Sequence, residues 1–158
     1  PSEILERAND AICMTNREDM FVTVWLGILD LRTGVMTAAN AGHEYPMILD
    51  GSGQFTLLKD RHGFVVGGMR GMRYKNYEVR LEPGAKLFVY TDGVPEATNR
   101  AGEMFGTGRT LDALNQNPAA APEELLANVK RSVSAFVGDA EQFDDMTMLC
   151  LEYKGKPE

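Results

Sequence analysis

The sequence predicts an α+β fold built on antiparallel sheets, and three observations carry that prediction. A helical repeat opens the chain and a second one precedes its end. Between them the apolar runs are short, β-branched or aromatic, and bounded by Gly, Pro, Asn and Asp. The order is helix, many strands, helices, strand, rather than the alternation of strand and helix that builds a parallel sheet.

Each element follows from local pattern. Residues 2–15 place Ile4, Leu5, Ala8 and Ile12 on one helical stripe, with Ser2 positioned to cap it. Residues 20–31 (MFVTVWLGILDL) are apolar on both alternating faces, which predicts a buried strand. Residues 30–34 are turn chemistry, and VMTAANAG follows as the second arm of a hairpin. Residues 42–46 form a further turn, and short strands are expected at 46–49 and 54–58, split by Asp50-Gly51-Ser52-Gly53. The stretch 59–73 holds four glycines, Gly63, Gly67, Gly68 and Gly71, and reads as a long functional or mobile loop. Residues 74–81 alternate as a strand, and Glu82-Pro83-Gly84 turns the chain into the apolar run ending at Tyr90. Residues 93–106 read as loop, 108–115 as a short helix and 122–137 as a long one. In that long helix Pro122 starts the first turn, Glu123 and Glu124 complement the dipole, and Leu125, Leu126, Val129, Val133 and Phe136 form the buried face. MTMLCLEY (146–153) is the closing strand, and the tail KGKPE is expected to fray.

The bulk properties narrow the function. A chain of 158 residues suits one domain, and 44% hydrophobic with 25% charged residues is ordinary for a globular protein. A net charge of −7 repels a phosphate backbone, so no nucleic-acid partner is expected. The two cysteines, Cys13 and Cys150, form no CxxC or Cys/His cluster, which argues against zinc and for a reducing, cytoplasmic compartment. No apolar stretch approaches the roughly 20 residues that span a bilayer. The chain begins at Pro1 rather than methionine, which predicts a piece of something longer, with membrane anchoring through a preceding region left open.

Two acidic motifs stand out. Leu87-Phe88-Val89-Tyr90-Thr91 runs straight into Asp92-Gly93, so a carboxylate stands at a strand end where a glycine allows close approach. Asp144-Asp145 precedes the final strand. If the two strands are antiparallel neighbours, Asp92 and Asp144 converge. Close carboxylates repel unless neutralised, and oxygen-only ligation favours magnesium or manganese. The plainer alternative is an Asp-Gly turn and a solvated Asp-Asp cap, and the motifs alone leave both open. His43 reads either as a proton donor or phosphate contact or, more commonly, as a turn histidine bonding nearby backbone. His62 shows no partner in the sequence. Arg61, Arg70 and Arg73 flank the glycine-rich loop, where they either clamp a phosphate or are solvated. No nucleophile elbow, Walker lysine motif or GxGxxG is present, which suits a two-metal hydrolase whose nucleophile is water.

At these residues the chain resembles a known family. LEPGAKLFVYTDGVPEATN resembles the L-x-P-G-D-x-L-x-x-Y-T-D-G-V-x-E-A segment of SpoIIE/RsbU-type phosphatases, within the PP2C-like (PPM) class. NAGHEYPMIL resembles their N-A-G-H-x-x-P hairpin, GEMFG their G-x-x-F-G element, and FDDMTMLCL their closing D-D-x-T strand. The motifs fall in family order over residues 20–153. The resemblance implies an α/β/β/α sandwich of two antiparallel sheets flanked by helices, with a binuclear manganese or magnesium centre. It implies Asp92 and Asp144 as catalytic metal ligands, with Asp145 a weaker candidate because relatives often carry asparagine there. It implies hydrolysis of phosphoserine or phosphothreonine on a small anti-anti-sigma (STAS) protein, under an upstream sensor domain. The family's opening G-G-D-F-Y-D and G-K-G motifs have no match, and residues 2–15 match its second helix. Residues 1–158 are therefore expected to be a single, N-terminally truncated phosphatase domain with part of its metal ligands missing. The fragment would be inactive or metal-free, with sheet edges able to pair into a dimer. The alternative function is a non-catalytic PP2C-like module that binds a partner protein.

Overall fold

In chain order the elements are α1 (Ser2–Thr15), β1 (Val24–Leu29), β2 (Val35–Ala41), β3 (Met47–Leu49) and β4 (Phe55–Leu57). They continue with β5 (Tyr77–Arg80), β6 (Lys86–Tyr90), α2 (Gly106–Asn115), α3 (Pro122–Val137) and β7 (Met148–Glu152). The computed structural model describes residues 1–60, 62–141 and 144–156. The arginine at 61, the phenylalanine at 143 and the end of the tail lie outside the described residues. The chain divides into two units.

The first unit comprises Pro1–His43 and Lys59–Leu81 with the C-terminal residues from Gly155. Its sheet has the order β1-β2-β5, antiparallel throughout. Leu5 of α1 packs with Ala39, Ala41, Val66 and Tyr74. The helix differs from expectation at its start and along its stripe. No side chain caps it, and Ser2 instead donates its backbone N–H to Asn76 Oδ1 at 2.8 Å. Ile4 and Ile12 are exposed, and the buried partner of Leu5 is polar: Asn9. Asn9 is tolerated inside because both ends of its amide are bonded. It accepts the Gly67 N–H at 2.9 Å and donates to the Met69 carbonyl at 2.9 Å.

The strand predicted at 20–31 is shorter and less buried than its composition suggests. Only Val24–Leu29 pairs regularly, Ile28 is exposed, and Val22 bridges Val66 of the glycine-rich loop. The reason is position: β1 is an edge strand, so an apolar composition does not bring two-sided burial. Trp25 of β1 donates its indole N–H to the Tyr77 hydroxyl of β5 at 2.7 Å, tying the two outer strands across β2.

The second unit comprises Glu44–Leu58 and Glu82–Lys154. Its sheet has the order β4-β3-β6-β7, again antiparallel. The core gathers Met47, Phe55, Phe88 and Tyr90 from the strands with Leu114 of α2 and Leu125, Val129 and Val133 of α3. Pro122, Glu123 and Glu124 occupy the first turn of α3 as predicted, and Leu126 and Phe136 are partly buried against the core. Helix α2 begins two residues earlier than expected, at Gly106.

At the open edge of this sheet Asn115 acts as a substitute strand. It accepts the Phe55 N–H at 2.7 Å and donates to the Phe55 carbonyl at 3.1 Å. Removing it leaves both backbone groups beside a fully packed ring, so Asn115→Ala should cost about 1–2 kcal/mol in a urea titration. An unchanged midpoint would show that water replaces the clamp at no cost.

Burial also sets the alkaline behaviour. It raises the phenols of Tyr77 and Tyr90 above their ordinary 10.0, with the Glu44 carboxylate adding at Tyr90. It pushes the half-buried Cys150 thiol from 9.0 to about 11. A raised folded value means the folded chain holds these protons more tightly than the unfolded chain. That stabilisation is whole below pH 9.0 and is lost as pH rises through the folded values, beginning with about 11 for Cys150. The urea midpoint should therefore fall progressively across that window, and a flat profile would contradict it.

Candidate functional site

The two acidic motifs meet because β6 and β7 are antiparallel neighbours, in register from Lys86↔Glu152 to Tyr90↔Met148. The exit of β6 thus lies beside the entry of β7. Past the last registered pair the ladder continues through one side chain. The Thr91 N–H donates to the Thr147 carbonyl at 3.0 Å, and the Thr147 N–H donates to Thr91 Oγ1 at 3.0 Å. The same hydroxyl donates to the Asp145 carbonyl at 3.3 Å, using its donor and an acceptor lone pair together. Thr91 is the stitch between the motifs, a role that its place beside an aspartate does not reveal in the sequence.

Gly93 is where the segments come closest. A Cβ built on it would collide with the Asp145 carbonyl oxygen and lie 2.9 Å from the carbonyl carbon. The glycine is required by close approach of backbone, as its place at a strand end suggested.

Asp92 is exposed at the exit of β6. Its Oδ1 accepts the Gly93 N–H at 3.0 Å, and its carbonyl accepts the Glu96 N–H at 2.9 Å, which folds the chain back into the turn that follows. Asp144 is exposed too, with Oδ1 accepting the Asp145 N–H at 2.7 Å. It lines a cavity of about 210 Å³ together with Gly93. Asp145 borders a different and more open hollow beside Leu126 and Lys130. The structure thus brings the backbones of 91–93 and 145–147 together, while Asp144 and Asp145 line separate hollows.

Exposed carboxylates at adjoining strand ends are the right donor chemistry for a hard cation. They do not by themselves fill its coordination sphere. Among the described residues no group of three or more His, Cys, Asp or Glu side chains is placed to hold a metal ion. Asp92 and Asp144 would therefore supply only part of a ligand set.

The other residues marked by the sequence have structural duties. Asn40 is nearly fully buried and grips His43 on both sides, accepting its N–H at 2.8 Å and donating to its carbonyl at 3.0 Å. The His43 ring meets Thr23 Oγ1 through Nδ1 at 3.1 Å. The backbone of His43 is thus held in the turn, while its ring meets a threonine side chain 20 residues away instead of the nearby backbone expected. Arg73 pairs with Glu6 at 2.7 Å, and Arg70 reaches the Cys13 carbonyl at 3.4 Å, so both tie the glycine-rich loop to α1. His62 has the partner its sequence hid: Nε2 lies 3.6 Å from Oδ1 of Asp60, whose side chain is 2% exposed. Asn40 also donates to Asp60 Oδ2 at 3.4 Å, joining loop and sheet. No helix among the described residues is long and apolar enough to cross a membrane.

Comparison with known proteins bears on the family and the fold. The family profile described as Stage II sporulation protein E (SpoIIE) matches residues 1–154. Protein IcfG of Synechocystis is 34% identical over 132 residues, covering 84% of this chain and 20% of that protein. Phosphoserine phosphatase RsbU of Bacillus subtilis is 24% identical over 154 residues, covering 98% of this chain and 45% of that protein. The chain thus spans less than half the length of the curated relatives it matches. Among solved structures, the SiaA-PP2C domain of Pseudomonas aeruginosa superposes with a TM-score of 0.79 at 24% identity, over 96% of this chain and 60% of that one. The phosphatase domain of SpoIIE from Bacillus subtilis superposes with a TM-score of 0.69 at 15% identity, over 100% of this chain and 69% of that one. At such identities these structures establish the fold, a PP2C-like arrangement of two antiparallel sheets with helices.

Proposed function

The chain belongs to the SpoIIE family, and on that premise we propose that it is part of a metal-dependent protein phosphatase acting on phosphoserine or phosphothreonine. The observation that carries the proposal is the junction of the motif ends, where Thr91 binds both the Asp145 carbonyl and the Thr147 N–H. Asp92 lies two residues beyond β6 (92 − 90) and Asp144 four before β7 (148 − 144), which supports the reading that both face one centre. Related proteins support the choice of metal and chemistry. RsbU is named a phosphoserine phosphatase. One SpoIIE phosphatase domain was presoaked with manganese, and RsbX was solved in complex with magnesium.

In this proposal Asp92 and Asp144 hold the divalent cation. When bound, the cation supplies an activated water and neutralises phosphate charge. The chain's own part is positional. Thr91 fixes the spacing of the two strand ends, and Gly93 keeps side-chain bulk out of their contact. The 60% and 69% coverage of the two phosphatase domains supports the further proposal that these residues are one part of a larger catalytic domain, whose remainder completes the ligand set. The substrate proposed is a phosphorylated anti-anti-sigma (STAS) protein, under an upstream sensor. The incomplete donor set among the described residues favours one alternative, a non-catalytic module that binds the same partner.

Phosphate release from a phosphoserine protein decides between the two. The full-length protein should release phosphate with manganese or magnesium and lose that activity in chelator. Turnover that persists without metal would refute the mechanism, and partner binding without any turnover would favour the module.

A further inference from the structure

The cavity beside Asp144 carries an inference that rests on the phosphatase reading and goes beyond it. We propose that it is a specificity pocket for a substrate arginine or lysine flanking the phosphorylated residue. The cavity holds about 210 Å³, room for a side chain rather than a free metabolite. Its walls are apolar, from Ala97, Val133, Val137 and Met146, and two carboxylates outside the proposed metal ligands line it, Glu96 and Glu141, with Asp144 at its edge toward the motif junction. Among the described residues no lysine, arginine or histidine lines it.

An apolar wall with acidic groups matches one class of side chain. Arginine and lysine bury an aliphatic stem along apolar surface and keep the charged head near water or carboxylate. Helix α3 adds to the match independently. The cavity is lined by the end of α3, through Ser134, Val137 and Gly138. That last turn has no basic residue to offset the negative end of the helix dipole. A bound substrate cation would serve there. A metal ion fits less well, because among the described residues no three carboxylates gather closely enough to share one. Gly93 and Met146 belong both to the cavity and to the motif junction, so in this proposal a side chain seated in the cavity lies beside the phosphate-bearing residue.

The test measures binding of labelled phosphoserine peptides to the full-length protein by fluorescence anisotropy. An arginine is walked through successive flanking positions and compared with norleucine at each. One register should bind roughly tenfold more tightly with arginine, and the preference should shrink as salt is raised. The double variant Glu96→Gln, Glu141→Gln should reduce that register to the norleucine level. Both side chains are exposed, and a thermal melt confirms that the variant folds. Equal binding at every register, or a preference that survives the double variant, overturns the pocket. Arginine-dependent binding without phosphate release upholds the pocket and counts against the phosphatase reading, so the two failures are separable.

Discussion

Replacing Asp92 with asparagine is expected to lower phosphate release by on the order of a thousandfold or more while leaving the fold intact. The change is isosteric and removes one charge. Asp92 is exposed and belongs to no core cluster, and an asparagine oxygen can still accept the Gly93 N–H. The thermal midpoint should therefore move by no more than about 2 °C, since surface substitutions of this kind usually change stability by about half a kcal/mol or less. What changes is the capacity to hold a cation. A carboxylate offers two charged oxygens to a hard metal, and an amide offers one neutral oxygen that competes poorly with water. Asp144→Asn should behave alike, and the double variant should be little worse than either single one, because residues acting as one unit are not additive. Additive losses would mean that the two aspartates act separately.

The second large effect is structural. Gly93→Ala should cost about 3 kcal/mol and abolish activity together. The new methyl meets the Asp145 carbonyl, with the Met146 nitrogen 3.4 Å away, and these are backbone atoms with no rotamer to yield. Overpacking typically costs about 1–3 kcal/mol, and a clash with backbone belongs at the upper end. Relief requires the 91–93 and 145–147 segments to part, which breaks the Thr91 bonds to Asp145 and Thr147. Urea titration and phosphate release on the same sample check both halves. A stable, active variant would show that the approach at Gly93 is dispensable.

Much of the fold was legible because its signals were local. Helix α3 announced itself by Pro122, two glutamates and an apolar face, and β6 by a continuous apolar run ending in Asp-Gly. The neighbourhood of β6 and β7, a condition in the sequence reading, is met in the structure. What the sequence hid was context. The composition of residues 20–31 is that of a central strand, but β1 lies at an edge, and no local pattern states sheet position. Asn9 is a buried polar side chain whose bonds go to Gly67 and Met69, far along the chain, so helical periodicity alone gives no sign of it. Thr91 was obscured by the more conspicuous aspartate beside it. Glu96 and Glu141 lie 45 residues apart (141 − 96), and only the folded chain sets them on one cavity with Val133 and Val137 of α3.

The central claim is that Asp92 and Asp144 jointly bind one metal centre, and calorimetric titration of manganese into the full-length protein tests it most directly. The account predicts that Asp92→Asn and Asp144→Asn each weaken manganese binding by roughly tenfold or more, with the double variant close to the singles. Wild-type manganese affinity in both single variants would contradict it.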